Sequence, residues 1–184
     1  MRAARLEFDA DGNAKVGVVV TGEVIEENGR LLAYVTPWLS PPLPPRDDPR
    51  RRTFNLELIE TGWAVFFPIY PSLPRDTDLT LAVDAAEKAW QNKLGAWHDF
   101  GDGLLLGYEY RACLKLGAAD PANEPPPPPS ERVAEAFRRV CVDVRSREIL
   151  GLFGYHRIDP PHRLWVWQKD LAEARGILDL HDPV

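Results

Sequence analysis

The segment from Thr53 to Tyr70, TFNLELIETGWAVFFPIY, has the clearest pattern of apolar and polar positions in the chain. Two apolar pairs, Phe54 with Leu58 and Leu56 with Ile59, are spaced three or four residues apart, while the neighbouring glutamates point elsewhere. This spacing predicts a short helix with one apolar and one solvated face. Thr53 or Asn55 could cap the first turn by accepting a hydrogen bond from a backbone N–H group.

Gly62 predicts the end of this helix, because glycine adopts the left-handed conformation that closes a last turn at little cost. Residues 63–67, which follow, are bulky and apolar. A run of this kind is typical of a buried strand. The sequence therefore predicts a helix, a turn and a core strand in succession, docked on a sheet.

Other segments also follow strand or helix periods. A hairpin is predicted for residues 5–20, with its turn between Asp9 and Asn13. Residues 107–116 and 139–144 share an alternating pattern, so they could be neighbouring strands that bring Cys113 and Cys141 close together. Besides the helix and core strand described above, strands are predicted at 16–20, 31–35, 107–116, 140–144, 149–157 and 163–168, and helices at 78–92, 131–138 and 170–175.

Two proline-rich stretches interrupt these elements. Residues 37–49 lack the backbone donors that a helix or a strand needs, and they predict a long loop that ends at Arg50, Arg51 and Arg52. These arginines could attract nucleic acid, or they could be a solvated loop end that Asp47 and Asp48 partly neutralise.

The second proline-rich stretch, residues 125–129, consists of five consecutive prolines. It predicts a stiff polyproline II segment that is either a spacer or a ligand for an aromatic groove. The chain then divides into residues 1–100, with the proline-rich insertion at 37–52, a strand and linker at 101–124, and an α+β annex at 125–184.

Composition narrows the functional classes. The chain has 184 residues, 45% of them hydrophobic, so it can form one domain with an annex. Its net charge of -6 argues against a broad nucleic-acid footprint but leaves room for a local basic site. No apolar run approaches the ~20 residues of a membrane helix. We expect a cytoplasmic protein, or a secreted one if the N-terminus is truncated.

No metal site is predicted. Cys113 and Cys141 form neither a disulfide framework nor a ligand pattern, and both are expected to be buried thiols. The three C-terminal histidines do not occur at ligand spacing. Asp9, Asp11 and Asn13 resemble the start of a calcium loop, but the later oxygen ligands are missing, which favours an ordinary Asp/Gly turn.

Three ordered blocks resemble the staphylococcal nuclease-like (thermonuclease) family. They are GRLLAYV at residues 29–35, FNLELIETGWA at 54–64, and an Ala- and Lys-rich helix that ends in KLGAW at 93–97. The resemblance covers the chain from Val16 to Trp97 and corresponds to the C-terminal two-thirds of that domain. It implies an OB-fold-like barrel, so the expected fold class is mainly β with α, in an α+β arrangement.

The resemblance also implies roles for two residues. Arg30 matches the arginine that contacts the scissile phosphate, which implies that it stabilises the charge of the transition state; the alternative is a structural pair with Glu26 or Glu27. Tyr70 falls where the family places an aromatic residue of the nucleotide pocket. The alternative is an exposed loop tyrosine packed on prolines.

The family's N-terminal third is not found. Its Asp-Gly-Asp calcium site and its Pro-Glu block, whose glutamate assists the water, have no counterpart, so Ca²⁺ is implied only by resemblance and no cofactor is evident. The first strands of the barrel are also missing. A truncated chain, a partner chain, or the strands of the C-terminal half could account for them.

These observations predict a nuclease-related nucleic-acid-binding protein, which would hydrolyse phosphodiesters if the missing motifs are supplied elsewhere. The alternative is a catalytically inactive module that binds nucleic acid or protein. The expected partners are single-stranded nucleic acid and a protein that contacts the proline-rich segments, with no membrane. The residues expected to act are Arg30 in catalysis, and Tyr70, Arg50, Arg51 and Arg52 in substrate binding.

Overall fold

A computed structural model describes residues 7–21, 25, 29, 31–45, 48–74, 76–117, 129–136, 138–150 and 154–183. The chain divides into two compact units. The first comprises Met1–Phe66 and Pro71–Ala96, and the second comprises Phe67–Tyr70 and Trp97–Val184. The division at residues 100 and 125 made from the sequence stays a prediction.

The first unit contains a two-stranded antiparallel sheet and two helices. Strand β1 (Val16–Val19) pairs with β2 (Tyr34–Pro37). A turn in which Asp9 accepts backbone hydrogen bonds precedes β1, as the Asp/Gly pattern predicts. Helix α1 (Phe54–Glu60) and helix α2 (Asp76–Gln91) follow.

The N-terminus of α1 confirms the predicted helix and decides between its two candidate caps. The Thr53 hydroxyl accepts a hydrogen bond from the Leu56 backbone N–H at 3.1 Å. The Asn55 side chain instead accepts one from the Val35 backbone N–H at 2.9 Å, which ties α1 to β2. The buried face of α1 packs against small side chains of α2, in a core formed by Leu56, Ile59, Phe66, Ala82, Ala85 and Ala86.

The prediction of a core strand at residues 63–67 is wrong. Trp63 is 63% exposed, and the next strand, β3, comprises only Ile69–Tyr70. Gly62 has a φ of 74°, and the backbone N–H groups of Trp63 and Ala64 both point back to the Leu58 carbonyl. The chain folds back over the end of α1 and cannot extend there.

The second unit is built on a four-stranded sheet in the order β3-β6-β4-β5. Strand β3 runs parallel to β6, and the remaining neighbours are antiparallel. The further elements are α3 (Ala96–Phe100) at the junction of the units, α4 (Gly107–Gly117), α5 (Pro129–Ala136), β4 (Arg139–Asp143), β5 (Ile149–Leu150), β6 (Arg163–Trp167) and α6 (Leu171–Leu178).

Most elements predicted in the C-terminal half are confirmed within a few residues: the helices at α5 and α6, and the strands at β4 and β6. The strand predicted at 149–157 is shorter, since Tyr155–Arg157 is a 3₁₀ turn and residues 151–153 lie outside the described part of the chain. Residues 125–128 also lie outside it. Pro129 is the first residue of α5, where its missing N–H costs little.

Residues 107–116 form the helix α4 and not the predicted strand. The segment contains no β-branched residue, and Glu109 accepts a hydrogen bond from the Leu106 N–H at 2.9 Å, which satisfies a donor ahead of the first turn. Cys113 is therefore exposed on a helix while Cys141 is buried on β4, which corrects the expectation of two buried thiols on adjacent strands.

The described strands form two open sheets, and no closed barrel is found among them. Leu56 and Ile59, on the apolar face that was predicted to dock on a sheet, pack on the alanines of α2. Helical residues outnumber strand residues, so the fold is α+β but not mainly β. Among the described strands, those of the C-terminal half pair with β3 or with one another and not with β1 or β2, so they do not complete a barrel with those two strands.

Candidate nucleic-acid interface

The proline-rich segment of the first unit positions three consecutive arginines, Arg50, Arg51 and Arg52, which we call the arginine triplet. Asp48 begins the 3₁₀ turn Pro49–Arg51, and its carboxylate accepts hydrogen bonds from the Arg50 backbone at 2.9 Å and from Arg50 Nε and Nη2 at 3.0 and 2.7 Å. The pairing with Arg50 lowers the pKa of Asp48 to about 2. Asp48 thus orients Arg50 and offsets part of its charge, while the Arg50 side chain stays 70% exposed.

The other two arginines have different partners. Arg51 Nη1 donates to the Pro44 carbonyl at 3.0 Å, whereas Arg52 Nη1 pairs with Glu60 at 2.7 Å. A carbonyl fixes a guanidinium without cancelling its charge. The triplet therefore contributes about one net positive charge from Arg51, so the idea of a loop end partly neutralised by acids holds for Asp48; Asp47 lies outside the described residues.

A groove of about 540 Å³ lies beside the triplet, within the first unit. We call it the Trp38 groove, after the tryptophan in its wall, which is 44% exposed. Ser40 donates to the Glu7 carboxylate across it, at 3.4 Å. The groove combines an aromatic face, a carboxylate and a guanidinium in its lining, which includes Glu7, Trp38, Ser40, Pro42, Pro44 and Arg50.

The turn at Asp9 does not fit a calcium ion. Asp9 Oδ1 accepts hydrogen bonds from the backbone N–H groups of Asp11 and Asn13 at 3.0 and 2.8 Å, and Oδ2 accepts one from the Asn13 side chain at 3.3 Å. These bonds, led by that of the Asn13 backbone, lower the pKa of Asp9. Its oxygens are committed to the turn, so these residues do not supply the calcium chemistry of the family.

Of the other predicted site residues, Arg30 lies outside the described part of the chain. Its neighbours Gly29 and Leu31 are described, and Leu31 forms a β-bridge with Ile25. Tyr70 belongs to the second unit, on β3, with 5% of its surface exposed and its pKa raised by burial. The expectation of an exposed loop tyrosine is wrong. Its role in nucleotide binding stays a prediction.

The second unit contains a buried charge that the sequence analysis missed. Arg163 is 8% exposed and donates to the Ile158 carbonyl at 2.8 Å, to the Tyr108 hydroxyl at 2.6 Å and to Glu109 at 3.2 Å. Burial raises the pKa of the nearby Cys141 thiol to about 12, so this cysteine is not a nucleophile at neutral pH. The cluster links β6 to α4 within the second unit.

The described part of the chain holds no group of three His, Cys, Asp or Glu side chains placed to bind a metal. None of its helices is long and apolar enough to cross a membrane.

Sequence reasoning identified the arginine triplet but missed the groove beside it. Trp38 follows Pro37 and precedes a proline run, so no regular element can bury its ring, which was a usable signal. Glu7 gave no such signal, because its position depends on backbone pairing. Its carbonyl accepts a hydrogen bond from the Lys15 N–H at 2.7 Å, and this bond helps to hold Glu7 at the groove.

The chain is thus an α+β protein with an aromatic and basic groove in its first unit. The sequence model of the staphylococcal nuclease homologue family matches residues 7–99, about half of the chain. The protein belongs to this family, and the resemblance drawn from its three sequence blocks is confirmed, with the match beginning at residue 7 and not at Val16. No curated protein and no solved structure matches the chain.

Proposed function

We propose that this chain binds single-stranded nucleic acid, with the Trp38 groove and the arginine triplet as its binding surface. The observation that carries the proposal is the position of the exposed Trp38 ring and the Arg50 guanidinium in one groove. Proteins that bind single strands combine aromatic faces, on which bases stack, with cations that follow the backbone. Arg51 adds charge at the same place, because its partner is a neutral carbonyl.

We propose further that the chain alone binds without cleaving. Hydrolysis needs an activated water together with charge stabilisation of the phosphoryl oxygens. Arg30 is the proposed phosphate contact, but an arginine does not generate a nucleophile. Phosphodiester hydrolysis is then expected only when the missing motifs are supplied elsewhere. The strands that come with those motifs would complete an OB-fold-like barrel together with β1 and β2.

The binding proposal is tested by fluorescence anisotropy with a labelled thymidine 12-mer. Arg51→Ala is expected to weaken binding several-fold and to reduce the dependence of log K on log salt by about 0.7, the value for one phosphate contact on a single strand. Trp38→Ala is expected to weaken it about five-fold or more, since base stacking on an aromatic ring is worth about 1–3 kcal/mol.

Arg147→Ala is the matched control. Arg147 is an exposed arginine of the second unit that pairs with Asp179 at 3.0 Å, so its loss should leave affinity and salt dependence unchanged. Equal effects of Arg51→Ala and Arg147→Ala would refute the assignment of the surface. The absence of binding at low salt would refute the proposed function itself.

Cleavage is tested separately, by incubating single-stranded DNA and RNA with the protein and calcium. The proposal expects intact substrate with the wild-type chain alone. If the wild type cuts and Arg30→Ala does not, the chain is a complete phosphodiesterase, and the part of the proposal that denies cleavage is wrong.

A second candidate function is an inactive module that binds a protein. Three large apolar side chains near Gly62 support it: Trp63, Leu58 and Leu94 are 63%, 50% and 41% exposed. Exposed apolar surface of this kind often marks an interaction site. The proline-rich segments would be its other contact. Loss of partner binding in Trp63→Ser, with nucleic-acid affinity unchanged, would separate this function from the first.

A further inference from the structure

The Trp38 groove contains a group that a simple phosphate-binding surface would not have. Glu7 places a carboxylate in a site where the Arg50 guanidinium also lies. A carboxylate repels phosphate, so its presence weakens binding unless it accepts hydrogen bonds from another part of the ligand. In single-stranded DNA, the donors available to it are those on the edges of the bases; RNA adds the ribose 2′-OH, which is a single donor and cannot engage both carboxylate oxygens.

Only one common base offers two adjacent donors on its Watson–Crick edge. Guanine presents N1–H beside its N2 amino group, whereas adenine and cytosine each present one amino donor next to a ring acceptor. Thymine and uracil present one N–H between two carbonyls. A carboxylate accepts at both oxygens, so it matches guanine with two parallel hydrogen bonds.

We propose that the Trp38 groove binds guanine within a single strand: Trp38 stacks on the base, Glu7 accepts from its N1–H and N2 amino groups, and Arg50 faces the adjacent phosphate. The inference rests on the nucleic-acid binding proposed above and names the base that the same site selects. Its three side chains lie in one groove whose volume of about 540 Å³ suits a nucleotide.

The local hydrogen bonds hold the two charged groups ready for these roles. The Glu7 backbone is fixed by Lys15, and the Ser40 hydroxyl reaches Oε1 at a long 3.4 Å, so contacts with the described residues leave most of the accepting capacity of the carboxylate available. Arg50 uses Nε and Nη2 to bind Asp48. A guanidinium has five N–H groups, so within the described part of the chain the protons on Nη1 remain for a phosphate oxygen.

The test compares four 12-mers: all thymidine, and thymidine with one central guanine, inosine or adenine. Inosine keeps N1–H but lacks the N2 amino group. The wild type is expected to bind the guanine strand about five-fold or more tightly than the all-thymidine strand, near the lower end of what a bidentate base contact gives, since the groove is open. Inosine should lose most of this preference, and adenine should show little.

The variant Glu7→Gln carries the decisive comparison. A glutamine offers one acceptor and one donor, so it cannot match two donors, and the affinity for the guanine strand should fall to that for the all-thymidine strand. Asp84→Asn, an exposed carboxylate of α2 in the same unit, is the matched control and should keep the preference. Far-UV circular dichroism confirms folding.

The outcomes separate this inference from the function on which it rests. Equal wild-type affinities for all four strands, with the Arg51→Ala effect present, would overturn guanine selection and keep nucleic-acid binding. A guanine preference that survives Glu7→Gln would also overturn it. Failure of every strand to bind would overturn both.

Discussion

Replacing Gly62 by alanine should destabilise the first unit more than a glycine substitution normally does. Gly62 has a φ of 74°, a conformation that L-residues rarely adopt. An added Cβ would also lie 2.6 Å from the carbonyl carbon of Leu94 and closer still to its oxygen. A Cβ added at Gly95 would likewise meet the backbone of Gly62, and the Ala96 N–H donates to the Gly62 carbonyl at 3.0 Å.

The expected magnitude has two parts. An alanine in the left-handed region costs about 1–2 kcal/mol. The contact is with backbone, which cannot rotate away, so relieving it resembles overpacking a core and costs about 1–3 kcal/mol more. We therefore expect Gly62→Ala to lose about 2–5 kcal/mol, a large share of the about 5–15 kcal/mol by which domains are stable.

Gly12→Ala is the matched control within the same unit. Gly12 has a φ of 82°, but a Cβ there would meet nothing within 4 Å, so only the conformational cost of about 1–2 kcal/mol applies. Urea unfolding followed by circular dichroism should show a midpoint about 0.5–1.5 M lower for Gly62→Ala than for Gly12→Ala, if the extra cost of about 1–3 kcal/mol is divided by an m-value of about 2 kcal/mol/M.

Asparagine separates conformation from close contact, because its side chain tolerates the left-handed region. Gly12→Asn should therefore be nearly neutral, while Gly62→Asn should stay strongly destabilised, since its Cβ meets the same backbone of Leu94. Wild-type stability for Gly62→Asn, or equal losses for Gly62→Ala and Gly12→Ala, would show that the contact argument is wrong.

Three further predictions concern stability. Thr53→Ala should cost about 1 kcal/mol in the unfolding free energy measured in urea, because it removes the cap of α1; no change would contradict the cap. Glu109→Ala should lower the free energy of unfolding by about 3 kcal/mol or more, because it leaves the buried Arg163 without its carboxylate partner. An almost unchanged melting temperature would show that the ion pair is dispensable. The carbonyls of Asp182 and Ser146, each 3.0 Å from a ring nitrogen, raise the pKa of His181 above its usual 6.5. Because the pKa is raised in the folded state, the stabilisation by His181 is complete below about pH 6.5 and is lost as the pH rises through the raised value. The difference in unfolding free energy between wild type and His181→Gln should therefore shrink above that pH. A difference that does not change with pH would contradict this prediction.

Local signals explain which elements could be predicted from sequence. Thr53 and Gly62 bound α1 through a cap and a left-handed turn, both of which depend on a few adjacent residues. The helix at residues 107–117 was mistaken for a strand because alternating apolar residues can also fit a helix that has a solvated face. Two contacts favour the helix: the hydrogen bond that Glu109 accepts ahead of the first turn, and the packing of Tyr108 beside Arg163. The contact with Arg163 could not be predicted locally, because Arg163 is distant in sequence.

In the candidate site, too, some features could be predicted from local sequence and others depend on tertiary contacts. The arginine triplet was visible as a basic run, whereas the partners of Arg50, Arg51 and Arg52 depend on where Asp48, Pro44 and Glu60 are brought. Trp38 could have been found from its prolines. Glu7 could not have been found in this way, because its position at the groove depends on the backbone hydrogen bond from Lys15 to the Glu7 carbonyl.

The sequence by itself determined the family, the cap and stop of α1, and the place where charge is concentrated, because each of these depends on residue identity at short spacing. The tertiary structure alone decided that Tyr70 is buried on β3, that the described strands form two open sheets, and that a carboxylate and a tryptophan share one groove. The physical reason is that burial and pairing are set by free energy summed over residues far apart in the chain, which no local pattern encodes.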